Sequence, residues 1–449
     1  MNEALRWPRR NDPASVLRRQ AVLRGLEGWR DVGAREAVFR LPEERAGWDE
    51  AVECLTAQVA IPVSVVGPLE VELGEYGLDE GGRLREHARS RQRVWVPLAQ
   101  TEGGLAASVQ RGAIAVAAAG GIRTFVLEDR ITRDTCFFFR TSADAIAFAR
   151  WVEAEAPRMA DWLQETAAGR SEASHLRLGQ KPLVSRHALL REVRTHVVGP
   201  YCHVLLRFTT GDACGPNMIT RNAYLLAKHY LMPRYPAEAG APPEEFALET
   251  NMGGDKKPSF LYFQEGRGKT VLAEATLAEG VLRRLLRTSS RRMMRLGLAG
   301  MHGTIASGMQ SMAFTPASAV AALFAATGQD LGMVGTSSMA HATAERVEGG
   351  LHVSIRFPGL EVGTVGGGTG LPHQRAFLEM MGCTGPGSVY RLAQIVAATA
   401  LALEVSAAAA MSMADSEGFA QAHTERGGLR GRREVEDGRS DRPKEVGAR

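Results

Sequence analysis

The chain is sparing with cysteine: Cys54, Cys136, Cys202, Cys214 and Cys383 are all it has, and none forms a C-x-x-C pair. An odd, scattered set excludes a disulfide framework and a zinc site of the usual spacing, and fits reduced core thiols of a cytoplasmic protein. The net charge is only +4 over 449 residues, which gives no argument for nucleic acid. Part of that basic excess sits at the ends, in "RWPRR" and after His423. The first residues, "MNEALRWPRRNDPAS", lack an apolar stretch, so no secretory signal is expected. The longest apolar run, 395–414, is mostly alanine and is interrupted by Glu404. It predicts a buried, tightly packed helix and not a membrane span. No G-x-G-x-x-G string exists, because the glycines of "GTVGGGTG" stand in the wrong register. Any nicotinamide cofactor must therefore be bound without a Rossmann turn.

What is present is an ordinary globular composition, 45% hydrophobic and 23% charged, in a chain long enough for two or three domains. Residues 1–55 alternate charged and apolar side chains at helical spacing and predict a helical N-terminal segment. "AIPVSVVGPLEVEL" (60–73) is β-rich and broken by Pro62 and Pro68, as in a strand followed by a turn. "QTEGGLAASVQRGAIAVAAAGG" (100–121) has glycine pairs around an alanine-rich run, predicting a helix whose small-residue surface permits close packing. From 124 to 248, β-like runs (135–140, 185–193, 201–210) alternate with helical ones (143–162, 217–231), the pattern of a smaller α+β domain. Residues 271–327 read as Ala/Leu-rich helices, 349–372 as two strands with a glycine-rich loop, and 375–423 as helix again. The polar tail 424–449 has no aromatics and is expected to be disordered. There is no internal repeat.

Ionisable residues gather at glycine-rich points. "TNMGGDKKPSFLYFQEGRGKT" (250–270) ends like a phosphate-binding loop, but the leading glycine of G-x-x-x-x-G-K-[ST] would fall on Phe263. That residue lies in an apolar run, Phe260-Leu-Tyr-Phe263, that reads as a strand, and an aromatic cannot take the loop's glycine conformations. Lys269 is accordingly expected in a surface turn, and attention passes to Lys256 and Lys257 beside Asp255. Glu102 in "TEGGLAAS", Asp330 in "ATGQD" and His423 in "EGFAQAH" also stand near glycine. By residue type alone each has a plain alternative: the two carboxylates as helix caps, the histidine as a solvated side chain.

Taken together the blocks are more specific. "IPVSVVGPL", "TEGGLAAS", "TGDACGPNM", "GDKKPS" with "EGRGK", "ATGQD" and "EVGTVGGGT" occur in the order found in 3-hydroxy-3-methylglutaryl-CoA (HMG-CoA) reductases. The chain resembles that family from residue 50 to residue 423. The resemblance implies an α+β fold in which a large helical domain (56–123 and 249–423) carries an inserted ferredoxin-like, non-Rossmann dinucleotide-binding domain (124–248). It also implies a soluble, bacterial-type, cytoplasmic enzyme, a homodimer or multiple of dimers with interfacial active sites. The reaction would be reduction of HMG-CoA to mevalonate and CoA by NADPH, in isoprenoid biosynthesis, with no metal.

Each hydride transfer to the thioester carbon, and then to the aldehyde, creates an oxyanion that a cation in a water-poor site stabilises. The resemblance assigns that cation to Lys256, with Lys257 in hydrogen-bonding support and Asp330 holding and tuning the lysine. It makes Glu102 the acid that protonates the aldehyde oxygen, and His423 the group that protonates the departing CoA thiolate. Arg133 matches an arginine that grips the substrate's free carboxylate, and Asn251 and Asp255 fall on the substrate side. Asp212, Gly215, Asn217 and Met218 match the dinucleotide motif. Ser185 and Arg186 match the step presented to the 2′-phosphate, the alternative for Arg186 being a solvated strand-edge residue. The chain departs from the family pattern at Cys214 and Pro216, where methionine is usual, at Ser318, where asparagine is common, and at Ala422-His423-Thr424 in place of Gly-His-Met. These departures leave open a reductase of a different acyl-CoA thioester. A catalytically silent CoA- or dinucleotide-binding relative is the other alternative, and the joint presence of Glu102, Lys256, Asp330 and His423 argues against it.

Overall fold

The computed structural model describes residues 12–25, 39, 41 and 52–425. Most of the expected N-terminal segment and the tail from 426 onward lie outside the described residues. Within that segment stands the helix Pro13–Arg24, started by Asp12, whose carboxylate accepts the Ser15 N–H at 3.0 Å. Its buried Arg19 and Gln20 donate to the carbonyls of Leu55 and Thr56, which ties the helix to the chain that follows.

Two sheets share one strand. β1 (Val63–Leu78) and β2 (Leu84–Ala99) form a long antiparallel hairpin, and β3 (Ile122–Phe138) follows. β4 (Arg177–Leu178) and β5 (Lys181–Pro182) make a small ladder of their own. Then come β6 (Leu189–Val198), β7 (Tyr201–Thr209), β8 (Glu245–Leu248), β9 (Gly268–Ala278), β10 (His341–Val347) and β11 (Gly350–Leu360). The larger sheet runs β10-β11-β9-β3-β1-β2. β3 pairs with β9 from Arg123 to Arg130. From Ile131 it pairs with β7, and from Thr135 also with β8 on its other edge. The second sheet, β6-β7-β3-β8, is antiparallel throughout. The helix Ser142–Ala167 follows β3, and Pro216–Leu226 follows β7 and continues into a π turn over 227–231. Leaving aside the small β4-β5 ladder, the chain order along this second sheet is β-α-β-β-α-β.

Each sheet has its own core. Phe137, Phe148, Phe208, Leu226 and Tyr230 pack in the smaller lobe. Leu73, Val96, Ile122, Val271, Leu323 and Ile355 pack in the larger one, around the helix Ser388–Ser412. That helix is long and apolar enough to cross a membrane, yet 83% of its most apolar window is buried inside the protein. It is a core helix, as its alanine content implied. Close packing against Leu105–Ala118 depends on small residues: a Cβ on Gly112 would lie 1.8 Å from the Ala402 carbonyl oxygen, so only glycine fits there.

The larger lobe sets a mixed sheet among its helices, and one stretch expected to be helical is a strand. Residues 268–278 form β9, whose Val271, Ala273 and Leu277 are fully buried on one face; the period of two outweighs the Ala/Leu composition that suggested helix. The run 260–263 is helical and not a strand. Ser259 caps Phe260–Glu265 by accepting the Tyr262 N–H at 3.3 Å, and Gly266 ends it. Pro68 does not stop β1, because the strand passes it through an irregularity between Val66 and Leu69, where a missing N–H is tolerated. Only one strand, β11, lies within 349–372, and its hairpin partner β10 precedes it.

Candidate active site

The segment from Glu249 to Lys257 leaves β8 as a tightly wound loop. Glu249, Asn251 and Lys256 have φ of 64°, 74° and 59°, the left-handed region that side chains other than glycine seldom occupy. Such backbone persists where its surroundings over-determine it. Arg133, projecting from β3, donates to Glu249 Oε2 at 2.7 Å and to Asp255 Oδ2 at 3.1 Å. Arg267 donates to Asp255 Oδ1 at 3.2 Å and pairs with the buried Glu361. The buried Asp134 accepts both the N–H and the hydroxyl of Thr250, and the Tyr262 hydroxyl donates to the Met252 carbonyl at 2.6 Å. Gly254, at φ 65°, lets this loop lie on the Tyr262 ring, 2.0 Å from where a Cβ would sit. Burial alone would raise the Asp255 carboxyl, but the Arg267 and Arg133 guanidiniums outweigh it and hold it below the ordinary carboxylate range.

On that support the Lys256 ammonium meets Asp330, Nζ to Oδ2 at 2.7 Å. The hydrogen bond from Lys256 to Asp330 is the main reason the lysine's pKa lies above its usual value, and burial opposes it only in part. The other oxygen of Asp330 accepts the Gly332 N–H at 2.9 Å, so one carboxylate both caps a turn and holds the lysine. Gln329 fixes the Asp330 loop from behind. Its buried amide donates to the Gly363 carbonyl at 3.0 Å and accepts the Gly363 N–H at 2.8 Å. Lys257 is exposed and donates to the Asp255 carbonyl at 3.2 Å. Ser318 lies half-buried in the first turn of the helix Pro316–Thr327.

The loop after β7 packs on the same glycine-rich segment, Ala213 bridging to Val365. The Asp212 carboxylate accepts the N–H groups of Gly387 and Val389 at 2.9 and 3.0 Å, which caps the Ser388–Ser412 helix. Gly215 is the N-cap of Pro216–Leu226, and Pro216 occupies its first turn, where a missing N–H costs nothing. Asn217 is exposed and Met218 half-buried in that turn. The Cys214 thiol lies 3.6 Å from Met333 Sδ, and burial pushes its pKa up to about 11, so it is a neutral thiol. Ser185 and Arg186 lie farther along the smaller lobe, beside a cavity of about 440 Å³ that His187 and Arg221 also line.

Glu102 and His423 are not in contact with the lysine–aspartate pair. Glu102 is exposed ahead of Leu105–Ala118 and makes no hydrogen bond or ion pair among the described residues. His423 is exposed on the short helix Glu417–Glu425, its Nδ1 2.9 Å from the Phe419 carbonyl. Arg133 is buried with both terminal nitrogens engaged, and so serves the loop from beneath.

One residue was misplaced by the sequence. Lys269 is not in a surface turn: it is 1% exposed in β9, with Nζ 2.7 Å from Asp129 Oδ1 and 3.4 Å from Thr210 Oγ1. Asp129 also accepts the Tyr390 hydroxyl at 2.8 Å and the Gly211 N–H at 3.1 Å, so this cluster pins the loop that follows β7. The usable signal was phase, since Lys269 shares the buried face of Val271 and Ala273.

The structure thus joins a mixed α+β frame, a lysine–aspartate pair beside glycine-rich loops and, on a second lobe, a cavity lined by two arginines. The particular family follows from comparison. The model of the hydroxymethylglutaryl-coenzyme A reductase family matches residues 18–427, and the chain belongs to that family. It is 35% identical over 380 residues to 3-hydroxy-3-methylglutaryl-coenzyme A reductase of Aeropyrum pernix, covering 83% of this chain and 81% of that one. It is 34% identical over 379 residues to the enzyme of the same name from Pyrococcus horikoshii, covering 83% and 82%. A class II 3-hydroxy-3-methylglutaryl-CoA reductase of Streptococcus pneumoniae, solved bound to NADPH, shares the fold with a TM-score of 0.57 at 16% identity, over 88% of this chain and 96% of that one.

Proposed function

We propose that the chain is an HMG-CoA reductase that reduces HMG-CoA to mevalonate and CoA with NADPH. The observation that carries this reading is the Lys256–Asp330 contact at 2.7 Å, at the end of a loop braced from below. The raised pKa of Lys256 keeps it a cation throughout the neutral range. When bound, NADPH supplies hydride to the carbonyl carbon. The chain's own part is to place the Lys256 ammonium against the oxygen that becomes anionic, with Asp330 fixing its direction. Glu102 gives a proton to the aldehyde oxygen, and His423 one to the CoA thiolate. Both are exposed, and the active site is completed between subunits of a homodimer, which accords with their distance from hydrogen-bonded partners in one chain. The β-α-β-β-α-β lobe, 124–248, is a ferredoxin-like dinucleotide-binding domain set into the larger lobe of 56–123 and 249–423. Its cavity suits NADPH: Arg186 and Arg221 line it, and neither pairs with a carboxylate among the described residues. Among the described residues, one apolar helix is long enough for a membrane, and it is buried in the core.

One observation favours a second reading. Arg133, which the family likeness gives to the substrate's free carboxylate, already holds Glu249 and Asp255, as would suit an acyl-CoA without that carboxylate. NADPH oxidation with a panel of acyl-CoA thioesters tests both. HMG-CoA turned over well above the others supports the first reading, and preference for an uncharged acyl group overturns it in favour of the second.

A further inference from the structure

The cavity beside Ser185 holds a second guanidinium that no motif singles out. Arg221 reaches it from the helix Pro216–Leu226, and its Nη2 donates to the carbonyls of Pro182 and Val184. Its Nε is buried without a hydrogen-bond partner. Burial lowers its pKa, and no carboxylate offsets that effect. Arg186 also lines the cavity; its Nε donates to His187 Nε2 at 3.3 Å, and it too has no ion pair among the described residues. Neither Asp nor Glu lines the cavity. The buried part of the Arg221 guanidinium thus has no charged partner from the protein, and an anion on a ligand would supply one.

The next residue explains how the two cations keep their places. Asn222 is fully buried. Its Oδ1 accepts the Ser185 N–H at 2.7 Å, and its Nδ2 donates to the carbonyls of Ser185 and Ala188 at 3.1 and 3.0 Å. The turn carrying Arg186 is therefore clamped to the helix that begins at Gly215 and carries Arg221.

We propose that Arg221 is a second specificity-determining cation for the 2′-phosphate of NADPH, and that Asn222 is the positioning residue that sets its distance from Arg186. The proposal rests on the NADPH reading above. The test compares the wild type with Arg221→Gln, Arg221→Lys, Arg186→Ala and Asn222→Ala. KM and kcat are measured with NADPH and NADH, together with competitive inhibition by adenosine 2′,5′-bisphosphate and by 5′-AMP. Arg221→Gln should raise the NADPH KM and weaken adenosine 2′,5′-bisphosphate about tenfold to a hundredfold, the range of one charge-assisted contact. The values for NADH and 5′-AMP should not move, nor should kcat. Arg221→Lys keeps the charge without the fork and should fall between. Asn222→Ala should lose the same discrimination with kcat unchanged. Equal losses with both nucleotides in the two Arg221 variants overturn the proposal, leaving Arg221 as a brace for the 182–184 carbonyls; so does no loss in either. If Arg186→Ala also leaves the NADPH-to-NADH ratio untouched, the cavity does not hold the 2′-phosphate and the cofactor assignment itself fails. Should Arg221→Gln melt early, Arg221→Lys alone decides the matter.

Discussion

Lys256 and Lys269 each meet one aspartate at 2.7 Å, and there the likeness ends. The side chains of Lys256 and Asp330 are 48% and 44% exposed, whereas those of Lys269 and Asp129 are 2% and 1% exposed. An open pair contributes little to stability because water competes for both ions. A buried pair has lost that water, so removing one partner strands the other. The open pair leaves its cation free to turn toward a new anion, as a reacting oxygen requires. The closed pair, shared with Tyr390 and the Gly211 N–H, can only hold a loop in place. Chemical identity of two ion pairs therefore says nothing of their work; solvent access does.

That contrast can be broken in measurable ways. Lys269→Ala has the largest expected effect, a loss of about 3–5 kcal/mol of stability read by denaturant unfolding, because Asp129 is left buried and unpaired. Replacing both partners at once, Lys269→Met together with Asp129→Leu, should recover much of it. A Lys269→Ala protein as stable as wild type would show that water reaches Asp129. Next comes Lys256→Ala, which should lower kcat by about 10²–10³ in both half-reactions while shifting stability by less than about 1 kcal/mol. Loss of fold instead of rate would make Lys256 a brace like Lys269.

Smaller effects sharpen the comparison. Asp330 raises the Lys256 pKa, so the folded-state cation persists to higher pH than an ordinary lysine near 10.4. Asp330→Asn removes that support and should move the alkaline limb of the pH–rate profile to lower pH. A limb that stays in place means another group sets it. His423→Gln should leave the melting temperature unchanged, given its exposure on a terminal helix. It should slow thioester reduction yet spare reduction of free mevaldehyde, which has no thiolate to release. Equal slowing of both would remove the histidine from thiolate protonation.

The same contrast marks how far the sequence could be read. That Lys256 and Asp330 meet was legible only through the family resemblance, which set their two short blocks side by side. Lys269 was not, since its partner lies 140 residues away and a lysine beside glycine usually faces water. β9 was hidden by its alanines and leucines, though its alternation was there to count. Arg267 and Glu361 escaped for the reason that Asp129 did: an ion pair buried between distant segments leaves no local pattern. The Gly112–Ala402 contact, by contrast, was foreshadowed by two alanine-rich runs that need each other's small surfaces.

β3 carries a mechanical meaning as well. Because Arg130 ends its pairing with β9 and Ile131 begins its pairing with β7, the two lobes are not beads on a string but neighbours on a common rod. Any swing of one against the other must bend that rod at a single peptide step, next to the Arg133 that braces the lysine loop. Tilting the smaller lobe would thus pull directly on the floor beneath Lys256. Amide exchange across 123–138 should accordingly show one opening event spanning both sheets, with no weak joint between them.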